Sequence, residues 1–261
     1  MTVFCNELRR ARKTFWIWTA SIAAFVLLCV FLYPEMRKSM GEIGKAFAAM
    51  GSFATAFGMD RLDFGTLRGF YSVECGTMIG VGGAFFAAVT AAGILSGEEQ
   101  GHTAEFLLTH PVTRGRVLGE KLLAALVQVL ACEAVVFAVS MGAVRCIGET
   151  VPWREFALLH LAYTLCAVEI ALVCFALSAV TRGNNYGPAL GFALVMYFMS
   201  ILANISDAAK VFKAVSPFGY ADGADIITRG GIDWSLALPG LAVGMLLAAA
   251  GALYWNNKDI A

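Results

Sequence analysis

Long apolar stretches separated by shorter polar ones run the length of the chain, covering about residues 15–33, 76–96, 121–144, 157–180, 186–204 and 235–255. Each approaches the roughly 20 residues that a helix needs to cross a bilayer. A membrane barrel would give strands of about ten residues with alternating polarity, and runs such as FWIWTASIAAFVLLCVFLY have no such period. The pattern predicts an all-α integral membrane protein with six transmembrane helices, forming a single transmembrane domain over residues 1–261.

Finer periodicity predicts further elements. Ahead of the first span, Phe4, Leu8, Ala11 and Phe15 recur at helical spacing while Arg9, Arg10, Arg12 and Lys13 fall mostly elsewhere around the helix, the pattern of an N-terminal helix in the membrane interface. After that span, Met36, Met40, Ile43, Phe47, Met50, Phe53 and Phe57 keep the same spacing and predict an amphipathic helix on the outer surface. Residues 207–233 are too polar to cross and too apolar for a free linker, so short outer helices are expected there, broken at Pro217 and near Gly223 and Gly230. Small residues at Gly76, Gly80, Gly83, Ala87 and Ala91, and again at Gly240 and Gly244, suit helices whose backbones approach closely.

Composition and charge then narrow the class. At 59% hydrophobic and 15% charged, the chain lies outside the range of a soluble domain. Its formal net charge of zero gives no reason to expect a nucleic-acid partner; membrane lipids are the expected surroundings. The seven cysteines show neither CxxC nor metal-ligand spacing and read as small buried apolar side chains, with no metal site. The first apolar run is long and ends in LYPEM without a small-x-small cleavage site, so it reads as an uncleaved anchor. The basic residues before it place the N-terminus in the cytoplasm, and six spans return the C-terminus to the same side, giving a multi-pass cell-membrane protein.

Two acids interrupt the spans. Glu133 and Glu169 lie near the middles of the third and fourth, at similar depth, close enough to meet or to line one cavity. A carboxylate in hydrocarbon costs about 3 kcal/mol or more, so each is expected to face protein or water, or to be protonated. With Gln128 they form the candidate membrane-interior polar set; either they contact cargo or they hold helices together through hydrogen bonds, with Gln128 or His160 taking part.

Between the second and third spans lies the polar segment EEQGHTAEFLLTHPVTRGRVLGEK, residues 98–121. Ser96 and Glu99 have capping-box spacing, AEFLL continues as a short helix ending before Pro111, and a new helix starts near Val117. A short helix and turn at the cytoplasmic face suit docking to another protein, or a plain solvated connector. The segment resembles the signature of permease subunits of ATP-binding-cassette exporters of the type-two branch, matching it at Glu98, Glu99, Thr103, Glu105, Leu107, Leu108, Pro111, Val112, Arg114 and Lys121. Thr113 replaces the usual Ser, and His102 separates Gly101 from Thr103. The NELRRARK opening, the segment ending GFYSVECG and the AVSPFGYADG stretch extend the resemblance over most of the chain.

That resemblance implies a coupling helix after the second span that fits a groove on a cytoplasmic ATPase subunit, buttressed by the N-terminal interfacial helix. It makes Glu98, Glu99, Gly101, Thr103, Glu105, Phe106, Leu107, Leu108, Pro111 and Arg114 the candidate ATPase-coupling residues. No GxxxxGK[ST] loop occurs in the sequence, so this chain is expected to carry no nucleotide-binding domain and no cofactor, with ATP and Mg bound by the partner. The implied partners are that ABC ATPase and a second permease, in a homodimer or heterodimer. Few interior charges favour export of a hydrophobic or amphipathic compound, such as a drug, peptide or lipid.

Two alternatives compete with a transporter subunit. Glu98 and Glu99 resemble the paired acids of membrane-embedded CAAX-type proteases, but the arginine of EExxxR would fall at Thr103, and His102, His110 and His160 are dispersed without HExxH. The other is a non-transporting membrane anchor that regulates a bound ATPase.

Overall fold

The computed structural model describes residues 2–39, 51–97, 113–181 and 183–258. Among the described residues six helices are long and apolar enough to cross a membrane, the first five being α1 (Thr2–Lys38), α3 (Leu67–Ala92), which α2 (Ser52–Ala56) precedes, α4 (Arg114–Cys146), α5 (Trp153–Val180) and α6 (Tyr186–Ile205). Short helices α7 (Phe212–Val215) and α8 (Gly223–Arg229) precede the last long one, α9 (Trp234–Asn257).

The N-terminal amphipathic segment and the first span form one unbroken helix. No glycine or proline lies between Thr2 and Tyr33, so nothing separates them, and α1 reaches about 55 Å. Its first turns keep the expected faces, with Phe4, Leu8, Ala11 and Phe15 half-buried and Arg9, Arg10, Arg12 and Lys13 exposed. Of the amphipathic helix expected after the first span, Met40, Ile43, Phe47 and Met50 lie outside the described residues; Met36 belongs to α1, and α2 forms beside Phe57.

Helix α3 starts nine residues before its apolar stretch, where the Thr66 side chain accepts from the Gly69 N–H at 3.2 Å. A π-helical turn, Tyr71–Cys75, follows. The turn seats Tyr71 in the interior, its ring stacked on Phe156 at 4.0 Å between centroids. The segment between α6 and α9 breaks where its sequence predicts: Pro217–Gly219 forms a tight turn, and Gly230, at φ 70°, ends α8 in the left-handed conformation that suits glycine.

Close packing builds the bundle, because lipid supplies little hydrophobic drive between helices. Two thirds (67%) of the most apolar window of α5 is buried within the protein, against 22% for α6 and α9. Helix α5 is therefore a core element, while α6 and α9 turn most of their apolar surface outward. Helix α3 lies against α5, α9 packs on the other side of α5, α6 on α3, and α1 on α4. The glycine spacing permits these approaches: a methyl at Gly76 would overlap the Tyr163 hydroxyl, and one at Gly251 would come within 2.8 Å of the Ala176 backbone.

Candidate functional site

Residues 98–112 lie outside the described residues, and with them Glu98, Glu99, Gly101, Thr103, Glu105, Phe106, Leu107, Leu108 and Pro111. What the structure describes is how both ends of that segment are held. On the entering side, Leu95 N–H and Ser96 N–H each donate to Ser178 Oγ at 3.1 Å, which ties the end of α3 to the end of α5. The Ser96 hydroxyl donates back to the Ala92 carbonyl at 3.0 Å, and Glu99, its expected capping-box partner, lies outside the described residues.

On the leaving side, the Thr113 side chain caps α4, and Arg114 Nη1 donates to the carbonyls of Asn256 and Lys258 at 3.1 and 3.0 Å. Arg114 thereby satisfies acceptors that the end of α9 leaves open, and its positive charge suits the negative end of that helix. Two turns into α4, Lys121 is buried at 1% exposure, forms an ion pair with Glu7 of α1 and donates to the Ile94 carbonyl at 3.0 Å. Beside it, Glu120 accepts from the Phe4 N–H at 3.1 Å and from Arg116 Nε at 2.9 Å. Helices α1, α3, α4, α5 and α9 thus converge on the segment through side chains rather than through apolar packing alone.

The Lys121–Glu7 pair escaped the motif, which supplied Lys121 as a family match without a partner. Two signals pointed to it: a lysine entering an apolar run, and Glu7 as the one acid among the cations of the N-terminal stretch. Both are of the kind that, in a membrane protein, call for a partner.

The interior carboxylates do not meet. Glu133 points Oε1 at the α3 surface where Gly83 leaves room, and no group among the described residues bonds its Oε2. Glu169 faces the opposite way, toward Gly240 of α9, and accepts from the Tyr220 hydroxyl at 2.9 Å. Equal depth brings two residues together only when their helix faces agree, and here they face α3 and α9. Gln128 joins neither, since its amide donates to Ala124 of its own helix at 3.1 Å; His160 pairs with the Tyr71 hydroxyl at 2.8 Å. Burial pushes the Tyr220 hydroxyl well above its ordinary range, so it remains a donor to Glu169.

At the end of the bundle away from Ser96 and Arg114, a cavity of about 60 Å³ lies between α3, α5, α6 and the short helices, with Tyr163, Asn204 and Asp222 in its wall. Ser72 Oγ and Asn204 Oδ1 are buried there without a partner among the described residues. A charge network closes this end. Asp225 pairs with Arg61 and with Lys213 at 2.8 Å, while Asp222 accepts from Asn204 at 2.7 Å. Burial alone would raise the Asp225 carboxyl, but Lys213, Arg61 and Arg229 hold it below its usual range.

Residues 1–220 match a protein-family model described as ABC-2 family transporter protein. A comparison with curated proteins found no match. The family match covers α1 to α7 and includes Glu7, Lys121, Glu133, Glu169 and Ser178; Asp222, α8 and α9 lie beyond it.

Proposed function

The chain belongs to the ABC-2 family of transporter proteins, a multi-pass permease subunit of the kind that works with ABC ATPases, and on that premise we propose that it exports a hydrophobic or amphipathic compound. ATP and Mg bind in the separate ATPase chain. The observation that carries the reading is the frame around residues 98–112, in which Ser178, Lys121, Glu7 and Arg114 fasten both stems of the segment to five membrane helices.

A loop that only joined two spans would not need a buried lysine and a hydroxyl clamp at its base. A loop that is pushed does, because force reaches the helices only through a stiff attachment. In the proposed cycle, closure of the ATPase dimer presses on residues 98–114, and the frame moves α1, α3, α4 and α5 together. In the same cycle the helices part to open a path past Glu133, which faces α3 in this structure, and Glu169, which faces α9, to the cavity at Ser72 and Asp222, where the charge network opens for release. Outward apolar surface on α6 and α9 supports pairing with a second permease chain.

Orientation is tested by labelling. In a background without reactive cysteines, a Cys at Asp207, whose side chain is 92% exposed, labels from outside the cell, and one at His102 only after permeabilisation. The reverse pattern removes the coupling reading.

The interior acids give a second test. Glu133→Gln and Glu169→Gln keep side-chain shape, so both variants reach the membrane in normal amount; if the acids line the path, cargo transport falls several-fold. Unchanged transport in both variants rejects the path and leaves the two as packing elements.

A further inference from the structure

The cavity of about 60 Å³ between α3, α5, α6 and the short helices exceeds what one buried water needs and has room for about four water-sized groups. Its wall has two parts. Phe57, Tyr163, Tyr197 and Phe218 supply aromatic surface, with the Tyr197 and Phe218 rings edge to face at 5.4 Å between centroids. The rest gathers hydrogen-bond acceptors. Asn204 Nδ2 donates to the Ala56 carbonyl at 3.2 Å and to Asp222 Oδ2 at 2.7 Å, which fixes the amide and leaves Oδ1, an acceptor only, without a donor among the described residues. Ser72 is 3% exposed, and its Oγ is likewise without a partner there. A methyl built on Gly223 would overlap Ser72 Oγ and come within 3.0 Å of the Tyr163 hydroxyl, so both oxygens lie at the start of α8, beside Asp222.

Among the described residues Asp222 is the one charged side chain in the lining. Arg61 reaches its Oδ2 at 3.5 Å and pairs more closely with Asp225, as do Lys213 and Arg229. The lining therefore presents a carboxylate, two unused oxygens and aromatic rings, with the cations of the network outside it.

We propose that this cavity binds the primary ammonium group of an amphipathic amine, which donates to Asn204 Oδ1, Ser72 Oγ and Asp222 and rests its first carbons on the aromatic rings. Buried acceptors call for a donor, and aromatic faces beside a carboxylate favour a cation. An alcohol brings a proton without the charge, and a quaternary ammonium brings the charge without a proton. That such an amine is the cargo rests on the exporter reading; its binding does not.

The test uses the purified full-length chain, without an ATPase, at neutral pH and fixed ionic strength. Butylamine, butanol or butyltrimethylammonium chloride is added, and the rise in melting temperature with concentration gives an apparent dissociation constant for each. Butylamine binds at least tenfold more tightly than either of the others, the scale of one charge-assisted hydrogen bond. Asp222→Asn keeps an oxygen for the α8 cap and weakens butylamine at least tenfold, while butanol is unaffected. Ser72→Ala weakens it about fivefold, and decides the matter should Asp222→Asn fold poorly, since it removes a hydroxyl that no described neighbour uses. A wild type that binds all the compounds alike, or none, leaves a cavity for water and overturns the proposal. So does a preference for the quaternary ion, or butylamine affinity unchanged in both variants. With no ATPase present, a failed amine site leaves the exporter reading standing, and an exporter reading that fails on ATPase co-purification leaves the amine site standing.

Discussion

Exchange of Lys121 for methionine destabilises the chain by about 3–5 kcal/mol, because it leaves the Glu7 carboxylate buried without its cation. The Ile94 carbonyl loses its donor in the same step. For a chain of this size the loss appears as a melting temperature lower by on the order of 10 °C, measured on the detergent-solubilised protein by fluorescence-detected size exclusion. The double variant Lys121→Met with Glu7→Leu recovers most of it, since replacing both members of a buried pair by apolar groups is often nearly neutral. Recovery of stability does not restore function. The double variant folds but transmits poorly, as the polar tie between α1, the end of α3 and α4 is gone. A single variant that melts with the wild type would remove the frame from the account.

The second large effect is on coupling. Leu108→Asp places a charge in the apolar Phe106, Leu107, Leu108 anchor and lowers cargo-coupled ATP hydrolysis at least tenfold, the scale expected for one well-packed interface anchor. Glu99→Lys acts in the same direction. An exposed ion pair contributes only about 0–1 kcal/mol, so a large loss at Glu99 marks a contact buried on docking. Both variants reach the membrane in normal amount, because both substitutions fall in the polar segment between two spans rather than within a span. Coupled hydrolysis at the wild-type rate in both variants would make the segment a connector.

Which parts of this architecture were legible in the sequence follows from the range of each signal. Six spans were legible because a length near 20 apolar residues is a local property. The breaks at Pro217 and Gly230 were legible for the same reason, each set by one residue's backbone preference. Helix ends were less so: Leu67–Cys75 carries Arg68 and Glu74, and hydropathy hides a helical turn that a capping threonine and a π-helical turn hold in place.

The interior acids show where local signals stop. Depth along the membrane can be read by counting, but the facing of Glu133 toward Gly83 and of Glu169 toward Gly240 depends on how α3, α4, α5 and α9 are arranged around one another. The same holds for Lys121 and Glu7, 114 positions apart, and for Ser178 with Leu95 and Ser96. The motif located the segment, and the frame that holds it became visible only with the fold.

The central claim, that this permease is driven by an ATPase docked on residues 98–114, is tested most directly by purifying the tagged chain from its own membrane and assaying the eluate for ATP hydrolysis. The account predicts a co-eluting ABC ATPase in stoichiometric amount, with hydrolysis that falls with the bound ATPase in Leu108→Asp. A chain that elutes alone and without hydrolysis, or an ATPase retained and coupled equally by Leu108→Asp, would contradict it.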